Sequence, residues 1–135
     1  KILQSDCELV SDKNNISFYW NSKFPINSLY IMRGYLYVEE SLKRLYLDAF
    51  FDAYWKDNID LSDEIEITKI LKILDIDNKK FFEGISNQLI KDQLKELTAE
   101  AFKKELFGAP TFVANNRIFW GQDRLEYAVD EVCSN

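Results

Sequence analysis

The chain has 135 residues, of which 47% are hydrophobic and 15% aromatic, and its formal net charge is −6 with no histidine. This length accommodates one compact core and little more, and the apolar share argues against global disorder. The acidic balance argues against a nucleic acid partner, and no apolar run approaches the ~20 residues of a membrane span.

The first half of the chain is predicted to be helical. Lys1–Lys13 is a predicted helix that Asn14-Asn15 ends, and it starts without an initiator Met, so we expect residues upstream. Phe24-Pro25 predicts the start of a second segment, with the proline in a first helical turn. From Leu36 to Lys56, apolar residues recur at three- and four-residue steps, which predicts one long amphipathic helix.

Three further helical signals follow. Ser62-Asp63-Glu64, directly before an apolar periodic stretch, is typical of a capped helix start. A short helix is predicted around Asn78–Gly84. Ser86 is predicted to open a long helix whose apolar face continues to Leu106.

The end of the chain has a different pattern. Gly108 ends a helix, Pro110 turns the chain into a strand, and Asn115-Asn116 predicts the turn of a hairpin. A closing helix is predicted from Gln122 to Val132. Because a two-stranded hairpin alone is marginally stable, we expect it to pair with further strands, from upstream of Lys1 or from a partner subunit.

Two absences restrict the chemistry. Without histidine, the chain contains no Ser-His-Asp or Cys-His pair, nor the commonest metal ligand, and we expect no metal site. Cys7 and Cys133 form no Cys-x-x-Cys pair, and nothing in the sequence supports a bridge between them. We therefore expect two thiols in a reducing, cytoplasmic location.

Six segments between Phe24 and Val132 together form a recognisable pattern: Phe24–Leu29, Arg33-Gly34, Ala49–Trp55, Leu94–Ala101, Phe107–Phe112 and Phe119–Leu125. In this order, they resemble 2-hydroxychromene-2-carboxylate isomerases. These are relatives of kappa-class glutathione transferases in the DsbA-like branch of thioredoxin folds. The Phe-Gly-x-Pro-Thr and Trp-Gly-Gln-Asp-Arg pieces at this spacing make the resemblance fairly specific.

The resemblance implies an α/β, thioredoxin-like fold with an inserted all-helical domain. Residues 1–106 would be mainly that inserted domain, including the long helix that leads back to the sheet. Residues 107–135 would be the C-terminal β-hairpin and helix. The family's reactive serine would precede Lys1, so no catalytic residue is assigned within this chain.

The resemblance also implies an activity: isomerisation of an aromatic-derived unsaturated keto acid through a reversible glutathione adduct. Glutathione would be the cofactor and a small aromatic or electrophilic molecule the substrate. Alternatives are a kappa-class-like glutathione transferase, a DsbA-like thiol-disulfide oxidoreductase if upstream residues carry Cys-x-x-Cys, and a non-catalytic interaction module. Nucleic acid and membrane are not expected as partners, while long aromatic-rich helices are compatible with a homodimer.

The glutathione site is expected on the last 30 residues. A cis Ala109-Pro110 bond would leave the Ala109 N–H and C=O exposed, so that they can pair with the peptide backbone of glutathione. Gln122 and Asp123, at a helix N-terminus, would hold the γ-glutamyl end: backbone N–H groups its carboxylate and the Asp123 carboxylate its ammonium. From spacing alone, the favoured interpretation of Asp123 is a first-turn acid that stabilises its helix, and only the resemblance favours contact with the ligand.

Other residues have two interpretations each. Trp120 either lines the glutathione pocket or belongs to a core on the hairpin, and Arg124 is expected to pair with a nearby carboxylate or carbonyl. Asn27 and Ser28 either cap the second helix, which is favoured, or face the substrate.

The aromatic runs Phe18-Tyr19-Trp20 and Tyr54-Trp55 either shape an aromatic substrate site or pack in a core or interface. Aromatic residues at helical spacing more often pack in cores, so the second interpretation is favoured.

Overall fold

The computed structural model describes residues 1–134. Over that range, the chain forms seven α-helices, two 3₁₀ turns and one antiparallel hairpin. The helices are α1 Ile2–Lys13, α2 Leu29–Tyr37, α3 Lys43–Trp55, α4 Glu64–Ile73, α5 Asn78–Ser86, α6 Gln88–Lys103 and α7 Leu125–Cys133. The strands are β1 Thr111–Ala114 and β2 Arg117–Trp120, and the 3₁₀ turns are Glu40–Leu42 and Gln122–Arg124.

The chain divides into two compact units, which we call the helical unit, Lys1–Leu94, and the hairpin unit, from Lys95 onward. The boundary falls inside α6, some residues before the division at 106/107 drawn from the sequence. The assignment of residues 1–106 to an inserted domain stays a prediction. Within residues 1–134, no helix combines the length and apolarity needed to cross a membrane.

The core of the helical unit lies where α2, α3, α4 and α5 meet. Tyr46 and Phe81 are among its most buried side chains, at 1% and 0% exposure. The Tyr46 hydroxyl donates a hydrogen bond to the Ile31 carbonyl oxygen at 3.0 Å, and burial raises the pKa of this phenol. Gly34 on α2 faces both rings, because a Cβ there would lie 2.2 Å from Tyr46 Oη and 2.5 Å from Phe81 Cζ. The glycine therefore lets α2 approach the aromatic core closely.

Several predicted helix ends are confirmed. Asn14 ends α1, and the Asp63 carboxylate caps α4 by accepting from the Ile65 N–H at 2.8 Å. The Asp77 carboxylate caps α5 in the same way, through the Lys80 N–H at 2.9 Å. Short polar side chains thus satisfy the first N–H groups of these helices.

The single helix predicted from Leu36 to Lys56 is wrong. The chain leaves α2 at Val38, whose backbone is extended (φ −66°, ψ 151°), passes through the 3₁₀ turn and re-enters a helix at Lys43. Val38 is 7% exposed and belongs to the core. Tertiary packing of this side chain therefore overrides a local pattern that contains no glycine or proline at the break.

Two other helix starts also differ from the predictions. Pro25 follows a cis peptide bond in a loop, and α2 begins only at Leu29, whose N–H is satisfied by the Asn27 side chain at 3.1 Å. Ser86 ends α5 rather than opening α6, and its hydroxyl donates back to the Phe82 carbonyl oxygen instead of capping α6. The N–H of Leu89 at the start of α6 is instead satisfied by the Asn87 side chain at 2.9 Å. The helix ends before Glu105, which has φ 58°.

Asp60 and Ser62 provide a pH-dependent contact at the entry to α4. The Ser62 N–H and hydroxyl both donate to the Asp60 carboxylate, and these bonds hold its pKa below the usual value. A carboxyl whose pKa is lower in the folded state stabilises the fold above its unfolded pKa, and this contribution is lost as pH falls through the folded pKa.

We therefore expect Ser62→Ala to raise the Asp60 pKa toward about 3.9, the ordinary value for Asp. It should also flatten the fall in unfolding free energy below about pH 4. Carbon-13 NMR titration of the Asp60 carboxyl and urea unfolding at neutral and acid pH measure the two effects. Ser5→Ala, on the exposed surface of α1, is the matched control. An Asp60 pKa that is the same in both variants would contradict the assignment.

The hairpin unit is built on the predicted turn. Asn115 and Asn116 both have positive φ, 48° and 62°, as a two-residue hairpin turn of the primed type requires. The register pairs Thr111 with Trp120 and Ala114 with Arg117. The Asn115 side chain donates to the carbonyl oxygen of Glu131 at 2.9 Å, so the turn is attached to α7.

Candidate functional site

The Ala109–Pro110 bond is cis, as the resemblance implied. Ala109 is exposed, and within residues 1–134 neither its N–H nor its C=O takes part in a hydrogen bond. The next residue, Pro110, leads directly into β1. A peptide-like donor and acceptor pair is therefore available at the entry to the hairpin.

Gly121 connects this entry to the start of the last helix. Its N–H donates to the Pro110 carbonyl oxygen at 3.0 Å, and its own carbonyl accepts from the Arg124 N–H at 3.1 Å. Its φ is +97°, and a Cβ would lie 2.5 Å from the Asp123 Oδ1 atom. Glycine is required here both for the backbone conformation and for the approach of that carboxylate.

Gln122 and Asp123 form the first turn after this glycine. Their backbone N–H groups have no hydrogen-bond acceptor within the described part of the chain, as is usual at a helix start. The Asp123 side chain is 69% exposed and accepts from the Arg124 guanidinium at 2.8 Å. Arg124 also lies over the Tyr127 ring, 5.5 Å from its centroid. The expected pairing of Arg124 with a nearby carboxylate is confirmed.

Trp120 lies at the surface of the hairpin unit, 54% exposed, with its ring 5.1 Å from that of Phe107. The interpretation of Trp120 as hairpin core is therefore wrong, while its contact with a ligand stays a prediction. Its indole nitrogen lies close to Gly108, where a Cβ would approach within 2.4 Å. Trp120 is thus a neighbour of the residue before Ala109.

A second candidate site lies within the helical unit. We call it the aromatic groove: a cavity of about 300 Å³ between the segment around Phe24, the start of α2 and one face of α3. Its lining is almost entirely apolar: Phe24, Pro25, Ile26, Ser28, Ile31, Met32, Phe50, Phe51, Tyr54, Trp55 and Leu61. Such a cavity matches the size and character of small-molecule sites.

The two predicted aromatic runs meet beside this groove. Trp55 stacks on Phe18 with centroids 5.7 Å apart and contacts Trp20 edge to face at 5.8 Å. Phe24 completes the cluster, 4.9 Å from Trp20 and 6.1 Å from Trp55. Tyr54 and Trp55 thus line the groove, whereas Phe18 and Trp20 pack against Trp55. Packing of the first run is confirmed, and contact of either run with a substrate stays a prediction.

Polar groups on the groove are few. Ser28 precedes α2 but makes no capping hydrogen bond, a role taken by Asn27. Tyr54 is 7% exposed, and its Oη has no partner among the described residues. Burial, and secondarily the Asp60 charge, raises the pKa of the Tyr54 phenol, so it is neutral near pH 7.

Asn21 is a residue that sequence reasoning missed. It is 1% exposed, and its Nδ2 donates to the carbonyl oxygens of Tyr54 at 2.8 Å and Ile59 at 2.9 Å. Its Oδ1 accepts from the Lys23 N–H at 2.8 Å. The sequence did contain a signal for it, because Asn21 directly follows the aromatic run that ends at Trp20. A polar side chain that is buried among aromatic residues needs hydrogen-bond partners.

Cys7 and Cys133 are both free thiols, Cys7 half-buried and Cys133 exposed. Cys7 lines a cavity that shares Phe51 and Trp55 with the aromatic groove. Within residues 1–134, no three acidic or cysteine side chains are grouped as metal ligands.

Residues 1–132 match the family model of the DSBA-like thioredoxin domain. Three curated relatives are named 2-hydroxychromene-2-carboxylate isomerase. That of Sphingobium xenophagum is 20% identical over 94% of this chain and 65% of its own length. That of Pseudomonas sp. (strain C18) is 30% identical over 59% of this chain and 38% of its own length. That of Pseudomonas putida is 27% identical over 70% of this chain and 48% of its own length.

A solved structure of 2-hydroxychromene-2-carboxylate isomerase superposes with a TM-score of 0.84 at 24% identity, over 98% of this chain and 66% of that one. The chain spans roughly two fifths to two thirds of the length of the curated relatives it matches. Its mostly helical architecture with a C-terminal hairpin and helix is that of a DsbA-like thioredoxin fold. The chain belongs to the DSBA-like thioredoxin domain family.

Proposed function

We propose that this protein is a glutathione-dependent isomerase of the 2-hydroxychromene-2-carboxylate type. The shared name of its three curated relatives supports the reaction class. Glutathione, when bound, would supply the thiol for reversible addition to an unsaturated keto acid. The proposal assigns this chain the binding of the glutathione backbone and of the aromatic part of the substrate.

The observation that carries the proposal is the hydrogen bond from the Gly121 N–H to the Pro110 carbonyl oxygen, at 3.0 Å. It brings two sets of unpaired backbone groups next to each other. One set is the N–H and C=O of Ala109, and the other is the N–H groups of Gln122 and Asp123. Such paired donors and acceptors suit a small peptide that carries a carboxylate.

Each group has a proposed role. The Ala109 N–H and C=O bind the cysteinyl backbone of glutathione in the manner of a strand edge. The Gln122 and Asp123 N–H groups bind the γ-glutamyl α-carboxylate, since unpaired N–H groups at a helix start favour anions. Trp120, exposed beside Gly108, covers the ligand on the Ala109 side.

The Asp123 carboxylate is proposed to bind the γ-glutamyl ammonium. Its ion pair with Arg124 occupies one oxygen, and a carboxylate has about four acceptor positions, so acceptor capacity remains. Arg124 is itself placed over Tyr127 and so orients the acid. The two side chains together present one carboxylate in a defined position.

The aromatic groove is the proposed site for the substrate ring. Its apolar lining and ring faces favour a planar hydrophobic body by burial and offset stacking. Phe51 and Trp55, one turn apart on α3, provide these ring faces. Ser28 offers a hydroxyl without a capping partner for a substrate oxygen.

Titration with glutathione, followed by calorimetry and by nitrogen-15 NMR, tests the first part of the proposal. The titration is performed on this chain and on a version extended upstream. We expect shifts at Ala109, Gln122 and Asp123, and at least about tenfold weaker binding by Asp123→Asn, because a charge-assisted bond is lost. Glu126→Gln removes an exposed acid from the first turn of α7 and is the matched control.

A glutathione analogue without the γ-glutamyl ammonium makes the assignment specific. It should bind the unaltered protein and Asp123→Asn with equal affinity, since the group that Asp123 contacts is gone. Equal affinities for glutathione itself would remove Asp123 from the site. A folded extended protein that does not bind glutathione would overturn the proposal and favour the oxidoreductase or non-catalytic alternatives.

A further inference from the structure

Asn21 connects the two sides of the aromatic groove. The segment Tyr19–Phe24 carries one wall, through Phe24, and the C-terminal half of α3 carries the other, through Tyr54 and Trp55. The Asn21 amide reaches across and donates to the carbonyl oxygens of Tyr54 and Ile59. These carbonyls lie at and beyond the end of α3, where no intrahelical donor remains for them.

The same junction contains three further hydrogen bonds. The Tyr19 N–H donates to the Trp55 carbonyl oxygen, and the Ser22 N–H donates to the Asn58 side chain at 2.8 Å. The Phe24 N–H donates to the Asn21 carbonyl oxygen at 3.1 Å, which folds the segment into a turn before Pro25. Asn21 is the fully buried polar side chain of this junction and makes three of its contacts.

We propose that Asn21 is a positioning residue that sets the separation of the groove walls. The inference rests on the proposed function only in taking the groove as the site of the substrate ring. Both amide hydrogens and the amide oxygen are already used within the chain, so Asn21 acts through Phe24 and Trp55 and not by touching the ligand. No aliphatic or acidic residue of this size supplies two donors to two carbonyl oxygens.

Met32 provides a direct probe, because it lines the groove and is the chain's single methionine. Labelling the methionine methyl with carbon-13 gives one resonance, which is followed during titration with 2-naphthoate. In the absence of this ligand, nuclear Overhauser contacts between the Phe24 and Trp55 rings, 6.1 Å apart by centroids, report the wall separation.

Three variants complete the experiment. Asn21→Ala removes the amide, and Asn21→Asp keeps its shape but places a carboxylate against two carbonyl oxygens. Ile67→Ala shortens a side chain of the same core, 1% exposed, away from the groove, and serves as a control of lowered stability. All are measured well below their melting temperatures, with circular dichroism to confirm that each is folded.

We expect both Asn21 variants to bind 2-naphthoate at least tenfold more weakly and to lose Phe24–Trp55 contacts, while Ile67→Ala binds within twofold of the unaltered chain. Folded Asn21 variants that keep these ring contacts overturn the inference, whether or not 2-naphthoate binds. An unaltered chain that shows the contacts but does not bind 2-naphthoate counts against the groove as ring site. In that case, loss of the contacts in Asn21→Ala still supports the positioning role. Should Asn21→Ala not fold, Asn21→Asp decides by the same readouts.

Discussion

Replacing Phe81 by alanine is expected to lower the free energy of unfolding by about 3–5 kcal/mol, the range for a fully buried phenylalanine. Phe81 is 0% exposed, and its ring lies between Tyr37 and Tyr46, with centroids 6.1 and 6.2 Å away. Removing the ring leaves a cavity that the aromatic neighbours fill only in part. Urea unfolding followed by circular dichroism measures the loss.

Phe82→Ala is the matched control for this prediction. Phe82 is the next residue on α5 and is only half-buried, packed edge-on against Tyr30 with centroids 6.4 Å apart. Its truncation should cost clearly less, about 1–2 kcal/mol, because less apolar area leaves water. Equal losses for the two variants would show that Phe81 is not at the centre of the core.

Gly34→Ala is expected to destabilise the fold by about 1–3 kcal/mol, although alanine is the better helix former. Gly34 is buried within α2, and the added Cβ would lie 2.2 Å from Tyr46 Oη and 2.5 Å from Phe81 Cζ. Neither ring can withdraw, since Tyr46 is 1% exposed and Phe81 is fully buried. The helices must therefore separate, and the melting temperature falls.

Two comparisons isolate this clash. Gly108→Ala places a Cβ 2.4 Å from the Trp120 indole nitrogen, but that side chain is 54% exposed and can move, so the cost should stay under about 1 kcal/mol. A double-mutant cycle with Tyr46→Phe tests the first contact, because removal of the hydroxyl leaves only the Phe81 clash. Additive effects of Gly34→Ala and Tyr46→Phe would contradict a direct contact between the two.

The sequence correctly predicted those helix and strand boundaries that depend on residues close together in the chain. The cap at Asp63, the turn at Asn115-Asn116 and the end of α1 at Asn14 each follow from one side chain or one backbone preference. The break at Val38 could not be predicted in this way. It depends on the burial of Val38 in the hydrophobic core, and a pattern along one helix carries no information on that packing.

The candidate sites also contain parts that the sequence predicts and parts that only the folded structure shows. The residues around Ala109 and Asp123 were found through a contiguous motif, whereas the hydrogen bond from Gly121 to Pro110 that joins them appears only in the folded chain. The aromatic groove draws on three separated parts of the chain, namely residues 24–32, residues 50–55 and Leu61. Asn21 donates to the carbonyl oxygens of Tyr54 and Ile59, which lie 33 and 38 residues further along the chain. Contacts across such distances depend on tertiary structure that spacing does not reveal.

Pro110 has a consequence for how the last strand becomes a helix. In an antiparallel ladder, the residue facing Gly121 would normally return a hydrogen bond to the Gly121 carbonyl, but proline has no N–H to do so. That carbonyl is thereby left to accept from the Arg124 N–H and close the first turn after β2. A residue with an N–H at position 110 would compete for the same acceptor and favour one more rung of the sheet. Pro110 therefore ends the hydrogen-bond ladder between the strands. The Gly121 carbonyl oxygen then takes part only in the helical turn that follows β2.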